Sequence, residues 1–175
     1  MAEMQEVIEK ALKGYVPDED GNPFAAWAGE CGLFVDVACH VADKLGVPYE
    51  IGNAYDGKLE GDFIWNPPIG LSTEDVRELR IIENLNHIWL IHRGRHFDAS
   101  TPAGVAELFD LRLVRQVAVE LIGRADPCRL ERLVAEHAYW RESAALFEAY
   151  MSIHSRLAEK YALSSNERVS NSPSL

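Results

Sequence analysis

Two short strand-forming runs flank the dipeptide Arg93-Gly94, and they constrain this chain more than any other feature. The first is His87-Ile88-Trp89-Leu90-Ile91-His92; the second contains His96-Phe97-Asp98. They read as antiparallel strands joined by a tight turn. Side chains on a strand alternate, so His87, Trp89 and Ile91 share one face. A two-residue turn pairs His92 with Arg95, and therefore Trp89 with Asp98. That sets Asp98 diagonal to His87 on the same face, where its carboxylate can orient the imidazole. A three-residue turn would carry Asp98 to the opposite face.

A second feature lies upstream, at Trp27-Ala28-Gly29-Glu30-Cys31-Gly32-Leu33-Phe34. Phe34, Val35, Ala38, Val41, Ala42 and Leu45 recur at helical spacing,. Gly46 and Pro48 stop the helix,. Cys31 therefore falls in its first turn. Unpaired N–H groups and the positive end of the helix dipole stabilise a thiolate there. The same N–H groups can hold the oxyanion of an acyl-transfer intermediate. A free cysteine is more often a small buried apolar residue. What points beyond that is the partnership it finds downstream.

A cysteine at a helix start, a histidine opening a strand and an aspartate on the next strand form a thiol triad in chain order. Gly29-Glu30-Cys31, His87-Ile88-Trp89 and Asp98 resemble the papain-like superfamily of cysteine peptidases, particularly its transglutaminase-like branch. The resemblance covers roughly Trp27 to Val105. It implies an α+β papain-like fold, with N-terminal helices carrying Cys31 packed on an antiparallel sheet that carries His87 and Asp98. It also implies a glutamine shortly before the nucleophile as an oxyanion donor. No Gln stands in the loop ahead of Cys31, which leaves only the Cys31 backbone N–H assigned.

The 175 residues suffice for one domain with a sizeable core, expected over 1–163,. A formal net charge of −11 argues against nucleic-acid binding, because phosphate contacts need clustered Lys and Arg,. Cys31, Cys39 and Cys128 follow neither a disulfide framework nor a zinc pattern,. No apolar run is long enough for a membrane span, and the acidic N-terminus does not read as a signal peptide. These features predict a cytoplasmic protein that needs no cofactor or metal and engages no membrane. Nothing in the sequence fixes its oligomeric state.

Along the rest of the chain, residues 2 to 14 read as an amphipathic helix carrying Met4, Val7, Ile8, Ala11 and Leu12,. Cys39 lies well inside the nucleophile helix and reads as core. Residues 52 to 71 read as irregular, with or without a short strand at 62–65. Trp27, Trp65 and Trp89 are the candidate substrate-binding aromatics. Ser72 and Asp75 form a capping-box variant,. Ser100 to Val105 ends the second strand, and Arg115 to Ile122 alternates as a further strand, with a helix as the alternative. Asp126 caps and Pro127 opens a helical segment over 126–163. The polar, serine-rich residues 164–175 are expected to be disordered. His92 and His96 read as surface histidines of the hairpin. With His87 and Asp98 they form a metal-hydrolase alternative, which strand alternation opposes by placing His92 and His87 on opposite faces.

The expected activity is acyl transfer: hydrolysis of a peptide or amide bond, in a small substrate or a protein, through a thioester. Cys31 is the nucleophile, His87 the general base and acid, and Asp98 the orienting group. An amine acceptor would make the reaction a transglutamination. The same fold without activity would be a binding or scaffold module, with the C-terminal helices as its interface.

Overall fold

The computed structural model describes residues 2–13, 31–149 and 151–152. Among them the architecture is α+β, a five-stranded antiparallel sheet between two helical layers. Helix α1 spans Ala2–Lys13 and α2 spans Cys31–Leu45. Strands β1 (Glu50–Tyr55), β2 (Lys58–Glu60), β3 (His87–His92), β4 (Arg95–Asp98) and β5 (Thr101–Val105) lie in the order β2-β1-β3-β4-β5. Between β2 and β3 sits the short helix α3, Thr73–Glu78. Helices α4 (Arg112–Ala125) and α5 (Pro127–Glu136) follow the sheet, and a further helix, α6, includes residues 138–149.

Alternation on β3 and β4 divides the core in two. Leu90 and Phe97, a register pair, meet α1 and α2 through Met4, Val7, Ile8, Phe34, Val35 and Ala38. Burying Met4, Val7 and Ile8 stabilises the packing by roughly 1.5–3 kcal/mol each. Trp89 and Ile91 point the other way, into a core closed by α4, α5 and α6 through residues such as Val114, Ile122, Leu133 and Trp140. His87 belongs to this second face. Helix α2 and the histidine thus lie on opposite sides of the sheet, and they meet only where β3 begins.

The hairpin is as the sequence predicts. His92 pairs with Arg95, and Ile91 with His96. Arg93 and Gly94 both adopt positive φ, at 50° and 71°. That is the backbone of a two-residue turn matched to strand twist. Ser72 and Asp75 form a reciprocal capping box, and Asp126 caps the helix that Pro127 opens.

Four expectations are corrected. Residues 52–60 are not irregular: β1 and β2 form a hairpin about Asp56-Gly57, both at positive φ, whereas 62–65 forms no strand. Asp-Gly is itself a hairpin signal. Thr101–Val105 is a separate strand, not the end of β4; as the sheet's edge it accommodates Pro102,. Residues 115–122 are helical. Their β-branched residues alternate, but burial of Val114, Ala118, Val119 and Ile122 follows the helical period, and α4 packs one face on the sheet,. Finally, His92 and His96 are buried, at 2% and 1% exposure. The two helical layers cover the hairpin on both sides. The tail expected to be disordered, 164–175, lies outside the described residues. No described helix is long and apolar enough to cross a membrane.

Candidate active site

Cys31 is the first residue of α2 and is half-buried. His87 is the first residue of β3, and Ala54 of β1 stands opposite it. Asp98 ends β4. The structure brings all three together. His87 Nε2 lies 2.9 Å from Asp98 Oδ2, with both side chains buried. The other ring nitrogen, Nδ1, is not used by Asp98, and Cys31 lies close enough to His87 for the thiol and the imidazole to shift each other's ionisation. An Nε2–H that donates to the carboxylate leaves Nδ1 as acceptor for the thiol proton.

Asp98 is itself held. Its Oδ1 accepts from the Ser100 backbone N–H at 2.9 Å and from the Ser100 hydroxyl at 2.7 Å. The Ser100 and Thr101 hydroxyls are 3.3 Å apart, and Thr101 Oγ1 accepts from the Arg112 N–H at the start of α4. A chain of hydrogen bonds therefore runs from the first turn of α4 to the imidazole. Neither Ser100 nor Thr101 was singled out as a site residue from the sequence. Asp98-Ala99-Ser100, an Asp bonded to the backbone two residues on, was the available signal.

The site's electrostatics follow from these contacts. The hydrogen bond from His87 brings the Cys31 thiol down to about 7; burial opposes this, while the Tyr55 hydroxyl, the imidazolium charge and the Ile88 backbone N–H add to it. For His87 burial is the largest influence and works downward. The Asp98 hydrogen bond, Cys31 and their charges outweigh it and raise the imidazole to about 9. Burial pushes the Asp98 carboxyl up, but His87, Ser100 and Thr101 together hold it below the usual carboxylate range. Between pH 7 and 9 the favoured state is a thiolate beside an imidazolium. Burial instead raises the Cys39 thiol. The two helix cysteines therefore differ in kind.

Tyr55 is the site residue that sequence reasoning missed. Its hydroxyl lies 3.6 Å from Cys31 Sγ. It closes β1, one residue beyond the partner of His87, a position visible only once the β1–β3 register is known.

The three candidate tryptophans differ in placement. Trp89 is fully buried, its ring 5.8 Å from that of His87 and nearly parallel to it. Its indole N–H donates to His96 Nδ1 at 2.9 Å. It backs the imidazole and excludes water, and it has no surface left for a substrate. Trp65 packs edge-on against Phe109 and does not line the cavity beside Cys31. Trp27 lies outside the described residues. His92 Nδ1 is bonded to the Pro48 carbonyl at 2.6 Å, and His96 is occupied by Trp89. Among the described residues, no three His, Cys, Asp or Glu side chains are grouped as a metal site.

A cavity of about 230 Å³ opens beside Cys31 and His87. Leu85, Leu113, Val114, Val117 and Phe147 give it apolar walls. Asn86 also lines it, although alternation sets that residue on the face opposite His87. Phe147 brings α6 to the site. The C-terminal helices thus both pack on the sheet and wall the cavity.

Comparison with protein-family models, curated proteins and solved structures finds no significant match.

Proposed function

We propose that this chain is a thiol-dependent acyl-transfer enzyme on a papain-like fold of the transglutaminase-like kind, hydrolysing a peptide or amide bond. One observation supports this above the others: a buried 2.9 Å His87–Asp98 hydrogen bond whose imidazole also engages a half-buried cysteine at a helix start. A purely structural cysteine needs none of these partners.

In the proposed reaction the Cys31 thiolate attacks the carbonyl carbon. The carbonyl electron pair moves to oxygen, facing the N–H groups of the first turn of α2. Collapse of this intermediate breaks the C–N bond, and the imidazolium of His87 gives its proton to the departing amine. Water then attacks the thioester and loses a proton to His87. The acid leaves and the thiolate–imidazolium pair returns. Asp98 keeps the ring oriented and supports its charge throughout. Water is the acceptor available by default; a bound amine would take its place in a transglutamination. Three free cysteines are consistent with a reducing compartment, and the cytoplasm is the location proposed,.

The test is the pH dependence of iodoacetamide labelling, mapped by peptide. Cys31 is expected to label with a midpoint near pH 7 and well ahead of Cys39 and Cys128. In His87→Ala the midpoint should move toward 9. Equal labelling of all three cysteines at pH 7, or indifference of Cys31 to the loss of His87, would remove the basis for catalysis.

A further inference from the structure

Tyr55 approaches the nucleophile from the side that His87 does not use. Ala54 pairs with His87 across the β1–β3 ladder and so shares its face of the sheet. Tyr55 is the next residue along β1, and alternation turns it to the face on which α2 packs,. Its hydroxyl lies 3.6 Å from Cys31 Sγ. Pairing with Lys58 across the Asp56-Gly57 turn fixes the end of β1 that carries it. Tyr55 is 41% exposed, whereas Trp89 and Asp98 enclose His87.

This placement separates two tasks. The imidazole exchanges protons with the thiol and the leaving group. The leaving group and the carbonyl oxygen are different substituents of one carbon, so a leaving group turned to His87 turns the oxygen away from it. The oxygen then lies toward Tyr55 and the first turn of α2. It forms two bonds from the sulfur, and a hydroxyl 3.6 Å from Sγ can reach the roughly 2.7–3.1 Å that an oxyanion donor needs,. Beside a thiolate the hydroxyl can only donate. Its hydrogen bond to Cys31, with burial and the thiolate charge, raises it to about 12, so it keeps its proton where Cys31 is ionised. No Gln stands in the loop ahead of Cys31 to supply a side-chain donor instead.

We infer that Tyr55 is a further catalytic residue, whose hydroxyl passes from the Cys31 sulfur to the carbonyl oxygen as the negative charge moves there. The C–S bond forms, the carbonyl electron pair moves to oxygen, and the phenolic proton stays on Tyr55 while it donates. When the pair returns and the C–N bond breaks, His87 gives its proton to the amine. The hydroxyl goes back to the sulfur once water has cleaved the thioester. This role rests on the acyl-transfer proposal, but it fails separately from it.

The experiment compares two reactions of the same thiolate. Iodoacetamide alkylates Cys31 without forming an oxyanion. p-Nitrophenyl acetate acylates it through one, and p-nitrophenolate leaves without needing a proton from His87. Single-turnover rates of both are followed from pH 6 to 9 in the native chain and in Tyr55→Phe, with release by Cys31→Ser subtracted. Each rate is taken at its high-pH plateau, so that a moved Cys31 midpoint does not enter. In Tyr55→Phe the acylation plateau should fall about ten-fold or more; a lost oxyanion donor costs about 10²–10³ in turnover, and less with so good a leaving group. The alkylation plateau should stay close to native. Plateaus that fall together, or an acylation plateau that does not fall, overturn the inference and leave the thiol enzyme standing. A native Cys31 that alkylates no faster than Cys39 at pH 7 removes the thiol enzyme, and the role of Tyr55 with it.

Discussion

His87 and Asp98 stand eleven residues apart in the chain and 2.9 Å apart in space, on neighbouring strands of one hairpin. The turn at Arg93-Gly94 sets that distance. Both residues adopt positive φ, so the loop holds two residues and the parity of the strands places the carboxylate on the imidazole's face.

Asp98→Asn keeps the shape of the side chain and removes its charge. The imidazolium then loses its counter-charge, His87 falls from about 9 toward its ordinary range, and the Cys31 thiol rises from about 7. The Cys31 labelling rate at pH 7 should fall about ten-fold or more, the scale of one charge-assisted hydrogen bond. An unchanged rate would mean that Asp98 is only structural.

The same carboxylate links stability to acid. Its folded pKa is lowered, so its contribution is present above about pH 3.8 and is lost as pH falls through the folded value,. Urea unfolding should find Asp98→Asn less stable than the native chain by about 2 kcal/mol at pH 7. The gap should narrow progressively below pH 3.8. A gap independent of pH would show that packing, not charge, is what the substitution disturbs.

Tyr55→Phe removes a hydroxyl 3.6 Å from the sulfur and keeps the ring. The hydroxyl favours the thiolate, so the labelling midpoint of Cys31 should rise by about 0.5–1 pH unit, the equivalent of one modest hydrogen bond. A midpoint that falls would show that the hydroxyl hinders the thiolate instead.

Activity on an amide substrate should follow a bell in pH, rising as Cys31 ionises near 7 and falling as His87 loses its proton near 9,. The ultraviolet absorbance of the thiolate should grow over the same lower limb in the native chain and be missing in Cys31→Ser. Thiolate absorbance that appears only near pH 9 would contradict the ion pair.

Gly52 of β1 faces Trp89 across the β1–β3 ladder, and a Cβ there would overlap the indole ring. Gly52→Ala should cost about 1–3 kcal/mol in thermal or urea unfolding, the range for overpacking a filled core. Because Trp89 stacks on His87, Cys31 labelling at pH 7 should slow as well. A stable variant with normal labelling would show that the indole moves aside freely.

The chain by itself determined the local geometry. Helical period and stop signals placed Cys31 at the start of α2, and period two with a tight turn placed His87 and Asp98 on one face. Ser72 and Asp126 announced two helix starts. These are short-range consequences of side-chain spacing and capping, and they survive any tertiary context that lets the elements form. Residues 115–122 show the limit. Alternating Val117, Val119 and Leu121 fit a strand, and only docking on the sheet through Val114, Ala118 and Ile122 makes the helical period the one that counts. Burial of His92 and His96 likewise depends on which layers cover the hairpin. Only the tertiary structure decided that α2, packed on the face opposite His87, sends its first residue past the end of the sheet to meet it. Only there does Tyr55 join Cys31, because contacts between residues remote in sequence depend on strand order and layer packing, which side-chain periodicity does not encode.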